Sequence, residues 1–224
     1  KTEKYDELTK VFYDLKLPLS TDLMMGLPGT TIEAFNKDLQ RYIDMDVSVK
    51  AYPTQLLPNS PMADPEYMEK YQIKTDANDF LISTYSYSVE DLNWMKSVYH
   101  TYTVADGYGL LRYVMRYLQW EYDISAMSFL SDLMHLIIKS PTKFKQITWA
   151  LRYFVSNKYM PGGWYNFYVE IGDFINQNYG IEIDSGWETV MKISELSMPD
   201  DSLSYPMTFK LKHDFSSSSN LVLA

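Results

Sequence analysis

Three imidazoles, His100, His135 and His213, and the absence of any cysteine limit the chemistry this sequence can carry by itself. Without a thiol there is no disulfide framework, no thiolate metal site and no Cys nucleophile. Asp132 and His135 stand three apart, close enough to share a helix face, and would offer two metal ligands. No third ligand accompanies them, so an ordinary helix-surface or satisfied buried histidine is the simpler account, and no metal site is expected. The pairs Asp44/Asp46, Glu90/Asp91 and Asp200/Asp201 have the right types for acid-base work. They sit at element ends, where adjacent acids mark solvated turns and favourable helix starts. Asp106-Gly-Tyr-Gly109 lacks the Gly-x-Gly-x-x-Gly pattern of a dinucleotide loop and reads as helix punctuation. In Met160–Tyr168, MPGGWYNFY, a glycine turn beside aromatic rings could close over a substrate. A buried corner between helices accounts for the same residues, and no catalytic residue is assigned.

The stretch with the most to say is Asp22–Phe35, DLMMGLPGTTIEAF. Thr21–Gly26 reads as a short buried strand. Its terminal glycine has no Cβ to keep a flat ligand from the backbone, and Pro28-Gly29 turns the chain into a helix. Thr30-Thr-Ile-Glu33 is a capping box, in which the Thr30 hydroxyl accepts from the Glu33 amide. Ile32, Phe35, Leu39, Tyr42 and Ile43 continue as the apolar stripe. In parallel α/β folds the carboxyl ends of strands are where ligands bind, although strand-to-helix punctuation alone would produce the same turn.

The elements that must hold this turn follow from periodicity. Tyr5, Leu8, Val11, Phe12 and Leu15 recur at helical spacing from Lys1 to about Lys16, and Val47–Leu57 is extended and stopped by Pro58. The first quarter is α-β-α-β, the grammar of parallel strands with crossover helices. Pro58, Pro61 and Pro65 break the chain, and 63–87 reads as a linker loop with one helical turn around Glu66–Lys70. Ser88-Val-Glu-Asp91 then signals a helix start, and further helical patterns run over 108–122, 126–139, 142–158, 165–178 and 186–197. Trp94, Trp120, Trp149, Trp164 and Trp187 are expected to fill helix interfaces. YPMTFKLKHDF, 205–215, alternates like a final strand, and the serines 216–219 read as a flexible end. The fold class is therefore α/β followed by mostly α. Its domains are 1–62, a linker 63–87, and a helical domain 88–224 with a short terminal strand.

A net charge of -9 and a pI near 4.8 disfavour a nucleic-acid or anionic-membrane surface. No apolar run approaches the roughly 20 residues of a membrane span, and a cytoplasmic location is expected. A helical pattern already runs at Lys1, from which we expect a piece of a longer polypeptide.

DLMMGLPGTT at 22–31, followed by YPTQLLPNSP at 52–61, resembles the fifth and sixth strands of the radical S-adenosylmethionine barrel. There the motifs commonly read DLIIGLPGET and LLPGSP. The continuation through SPMADPEYMEKYQIKTD and STYSYSVEDL is similar to the branch with an N-terminal cobalamin-binding domain, and leaves cobalamin dependence open. The resemblance covers about residues 1–100. It implies that 1–62 are the last two βα units of a partial (β/α) barrel, and that the helical domain covers the substrate. It also implies that Met25, Gly26, Leu27 and Pro28, with Gln55, Leu56 and Leu57, flank the adenine of S-adenosylmethionine. Thr30 stands where the family has Glu. The family's CxxxCxxC motif, which holds a four-iron four-sulfur cluster, is absent from this chain. The resemblance thus implies cluster ligands upstream in a full-length parent enzyme and an inactive fragment. A degenerate α/β scaffold carrying a non-catalytic helical interaction module is the alternative. Two strands taken from a larger sheet leave open edges, so self-association or a rearranged N-terminal quarter is expected.

Overall fold

A computed structural model describes residues 2–199, 204 and 206–214. The chain order is α1 (Thr2–Asp14), β1 (Ser20–Met25), α2 (Ile32–Asp44), β2 (Ser48–Pro53), α3 (Pro65–Lys70), β3 (Lys74–Thr75), β4 (Leu81–Ser83), α4 (Val89–Tyr102), α5 (Arg112–Tyr122), α6 (Ala126–Lys139), α7 (Lys145–Asn157), α8 (Gly163–Tyr179) and α9 (Ser185–Leu196). A 3₁₀ turn at Pro61–Ala63 and a π turn at Thr103–Gly107 complete it. This is a mixed α/β chain with mostly helices, and the described residues contain two small sheets and no closed barrel. No helix among them is long and apolar enough to cross a membrane. Contacts divide the chain into two units, Lys1–Tyr99 and His100–Ala224.

In the first unit β1 and β2 pair in parallel, from Ser20 opposite Ser48 to Met25 opposite Pro53, with α2 as the crossover. Phe35, Leu39 and Ile43 form the buried stripe of α2, and Val49 and Ala51 are the buried positions of β2. The expectation of a buried β1 needs correcting: exposure alternates along it and only Met25 is buried. A strand with one partner in a two-stranded sheet has too little around it to cover both faces. The helix cap also moves by one residue. The Thr30 amide closes the turn by donating to the Leu27 carbonyl at 2.9 Å, and Thr31 is the extended N-cap, accepting from the Ala34 amide at 3.1 Å.

The segment 63–87 carries more structure than a linker loop. Asp64 caps α3 by accepting from the Glu66 and Tyr67 amides, and β3 pairs with β4 in antiparallel fashion. Backbone bonds from Leu56 to Asp79 and from Leu81 to Thr54 tie the hairpin to the residues after β2. The division between units falls inside α4, which starts at the expected signal, and there a reciprocal cap forms. The Asp91 carboxylate accepts from the Ser88 amide at 2.9 Å and the Ser88 hydroxyl accepts from the Asp91 amide at 3.1 Å.

The second unit is helical, and its helices fall where the 3.6-residue period places them. α6 buries Phe129, Leu130, Leu133 and Met134; α8 buries Phe167, Tyr168, Ile171, Phe174 and Ile175. α5 and α9 meet through Tyr117, Tyr122 and Trp187. The Trp187 indole stacks on Tyr122 at 5.9 Å, meets Tyr117 edge-on at 4.7 Å, and donates to the Tyr122 hydroxyl at 3.2 Å. Trp187 is fully buried, whereas Trp120 is 38% exposed and so fills no interface completely. The N-terminus of α7 has no cap of its own; the Glu170 carboxylate of α8 accepts from the Gln146 and Ile147 amides at 2.7 and 3.1 Å. The described residues of the expected terminal strand form none: 207–211 and 214 carry no regular structure, and 206, 212 and 213 only a bend. The His213 amide donates to the Thr189 hydroxyl of α9 at 2.9 Å. The serines 216–219 and Asp200/Asp201 lie outside the described residues.

Candidate functional site

The parallel register brings the carboxyl ends of β1 and β2 side by side, and the two segments of interest emerge there. The Met25 carbonyl accepts from both the amide and the hydroxyl of Thr54, at 3.0 and 2.9 Å, which locks the two exits together. Gly26 follows at φ 85°, a left-handed conformation that costs other residues about 1–2 kcal/mol. The space its missing Cβ leaves is taken by the chain itself: such an atom would stand 3.0 Å from the Tyr87 hydroxyl and 3.3 Å from Leu92. The Tyr87 hydroxyl donates to the buried Gly26 carbonyl at 2.7 Å. Burial pushes the Tyr87 phenol up to about 12, which keeps it a neutral donor near pH 7.

The pattern repeats at the other glycine of the turn. The Gly29 amide donates to the Ser86 hydroxyl at 2.9 Å, and Tyr85 lies against the position a Gly29 side chain would occupy. Tyr85 and Tyr87, two apart in a tight turn closed by the bridge between Thr84 and Tyr87, thus cover glycines three apart. These contacts are invisible in the motif itself. No periodic signal could have found them, because Tyr85-Ser86-Tyr87 lies in a turn.

Of the expected ligand residues, Met25 and Gly26 are buried, Pro28 is half-buried and Leu27 is exposed. Gln55 turns away to pair with Phe80, and its side-chain amide donates to the Asn78 carbonyl at 3.0 Å. Leu56 is half-buried and held by its backbone bond to Asp79, while Leu57 is 59% exposed. The structure therefore collects Met25–Pro28 at one strand end and sends Gln55–Leu57 toward the hairpin. Beside the turn, an open polar depression of about 520 Å³ is lined by residues 83–91, with hydroxyls of Ser83, Thr84, Tyr85, Ser86 and Ser88. This arrangement offers hydroxyls, amides, the exposed Leu27 and the carboxylates of Glu90 and Asp91. It can hold and orient a ligand, and Asp91 is already engaged as the cap of α4.

The other candidates settle into structural roles. Asp132 accepts from the Tyr179 hydroxyl at 2.7 Å and from Asn178 at 3.3 Å, and no group of three or more metal-ligating side chains occurs among the described residues. One ring nitrogen of His100 meets the Leu151 carbonyl at 2.8 Å. Asp106, buried at the π turn, pairs with Arg112 at 3.2 Å. Within MPGGWYNFY, Met160 is buried, a side chain on Gly162 would strike the Gln146 amide, and Trp164 packs edge-on against Phe154 and Phe167. That is the geometry of a packed corner. No protein-family model matches this chain, and no curated protein matches it significantly.

Proposed function

We propose that the chain is the C-terminal portion of a radical S-adenosylmethionine enzyme, contributing the end of a partial (β/α) barrel and a substrate-covering helical domain. The observation that carries this reading is the parallel β1–α2–β2 unit, at whose carboxyl edge the turn Gly26-Leu27-Pro28-Gly29 follows β1 and Thr54 follows β2. The chain's residues do not fit the cluster: with no cysteine it has no thiolate to offer, so that chemistry belongs to the rest of the parent. The fit to the adenine of S-adenosylmethionine is partial. Exposed Leu27 suits an apolar wall, whereas Gln55–Leu57 run toward the hairpin and the Gly26 carbonyl is already held by Tyr87. In the parent these residues bind and orient; this chain alone turns nothing over. Cobalamin use, substrate and reaction type stay open within the proposal.

A second reading, a non-catalytic interaction module, draws support from the exposed rings on and beside α7. Tyr153 and Tyr159 are 49% and 60% exposed and both pack against Trp149. The discriminating experiment is anaerobic iron-sulfur reconstitution of the full-length parent, followed by an assay for 5′-deoxyadenosine under reducing conditions. Product that disappears on replacement of upstream cysteines supports the enzyme. A parent without cluster cysteines, forming no product, sinks it and turns attention to a protein partner.

A further inference from the structure

The second unit contains a groove that neither reading uses. It runs between α8 and α9 and encloses about 580 Å³, within the size range of ligand sites. Its floor is apolar: Val169 and Gly172 from α8, Met191 from α9, and Ile183 from the connection between them. Met191 and Ile183 lie at ordinary contact distance over Gly172, where a side chain would begin to fill the floor. The rim is acidic at Asp173, Glu188 and Glu195. Asp173 has no partner among the described residues, and Glu195 is paired with Lys192 at 2.9 Å.

Across this groove lies the chain's own Lys210-Leu211-Lys212. Lys212 pairs with Glu188 at 2.7 Å, and the next amide, of His213, is held by Thr189. The attachment is slight. The paired side chains are 67% and 42% exposed, Leu211 is 36% exposed, and the groove still has room beneath the strap. Ion pairs this exposed hold little by themselves. The strap has complementary chemistry without the fit of a core element: Leu211 lines the groove with its apolar residues, Lys212 is paired with Glu188, and Lys210 lines the same groove whose rim carries Asp173 and Glu195.

We infer that the α8/α9 groove is a peptide-binding site, occupied here by the chain's own strap, which accepts from another protein an extended segment carrying an apolar residue between two lysines. The resident strap competes for the groove, so apparent affinity falls by the fraction of time the groove is open. The unfilled volume favours an apolar residue larger than leucine at the centre.

The test uses the full chain and labelled peptides FKLKHD, FKWKHD and FELEHD. In the unaltered chain, excess FKWKHD is expected to speed hydrogen exchange of the amides at 207–214 several-fold while α8 and α9 stay protected. In the strap variant Leu211→Asp/Lys212→Glu, fluorescence anisotropy is expected to show FKWKHD binding about tenfold more tightly than in the unaltered chain. Adding Glu188→Lys to that variant is expected to abolish binding of the lysine peptides and favour FELEHD. Equal binding with and without the strap substitutions, or insensitivity to Glu188→Lys, overturns the proposal. Should the variants fail to fold, the exchange experiment decides: no acceleration at saturating peptide refutes it.

Discussion

Gly26 and Tyr87 form one device from two residues 61 positions apart. The glycine allows the turn, and the tyrosine both fills the space beside it and satisfies its buried carbonyl. Replacing Tyr87 with Phe keeps the ring but leaves that carbonyl without its donor, a loss of about 1–3 kcal/mol in unfolding free energy, measurable by urea denaturation. The pH dependence has a definite sign. The phenol is raised from 10.0 to about 12 on folding, so its contribution is complete below the unfolded value and is lost as pH rises through the folded one. The stability difference between the chain and Tyr87→Phe is therefore expected to be constant up to about pH 10 and to shrink between there and about pH 12. A difference that stays constant through that interval would show that the hydroxyl does not titrate as placed. Tyr168 and Tyr179 are also raised by burial, which is why the difference, rather than the alkaline loss itself, is the useful quantity.

Helices in the second unit begin in contrasting ways, and the contrast can be tested. α6 and α9 are capped by their own Ser125 and Asp184, which accept from the Ser128 and Trp187 amides. α7 borrows Glu170 from α8, so this carboxylate caps one helix while belonging to another. Glu170→Ala is expected to cost about 1–2 kcal/mol and to increase hydrogen exchange at Gln146 and Ile147 before other amides of α7. Unchanged exchange there would mean that α7 does not depend on the borrowed cap. The local caps at Asp64, Ser88 and Asp184 lie within a few residues of the amides they serve and are legible in the sequence. Glu170 is not, because its partners are 23 and 24 residues away and nothing in its own neighbourhood announces them.

At the scale of the whole chain, apolar recurrence broken by Pro141, Pro161 and Gly180 was enough to read α5 to α9. Side-chain burial there repeats every helical turn, and the breakers fall between turns. The parallel βαβ unit was legible too, through its glycine turn and the extended run after α2. What escaped was non-local. The segment 63–87 has no period of its own because its order comes from Thr54, Leu56 and Gly26, and the alternation expected over 205–215 includes Lys210–His213, which lie against α9 and not in a strand. Burial of β1 was overestimated because a sheet of two strands covers little. Among the described residues that sheet has open edges, Met24 and Tyr52 on its strands are exposed, and so are Leu8 and Val11 of α1 and Leu15 just after it. Concentration-dependent association is expected in sedimentation velocity, weakened by Met24→Lys; a monomer at all concentrations would show that these edges are innocuous.

The distribution of indoles has a practical outcome for all such measurements. Four of the five tryptophans, including the buried Trp187 against Tyr117 and Tyr122, belong to the second unit, and only Trp94 belongs to the first. Intrinsic fluorescence will therefore follow loosening of the helical unit and pass over much of what happens around Gly26. A melt recorded at indole wavelengths can look complete and cooperative while reporting little on the glycine turn, so the Tyr87 experiment calls for circular dichroism or a reporter placed near β1.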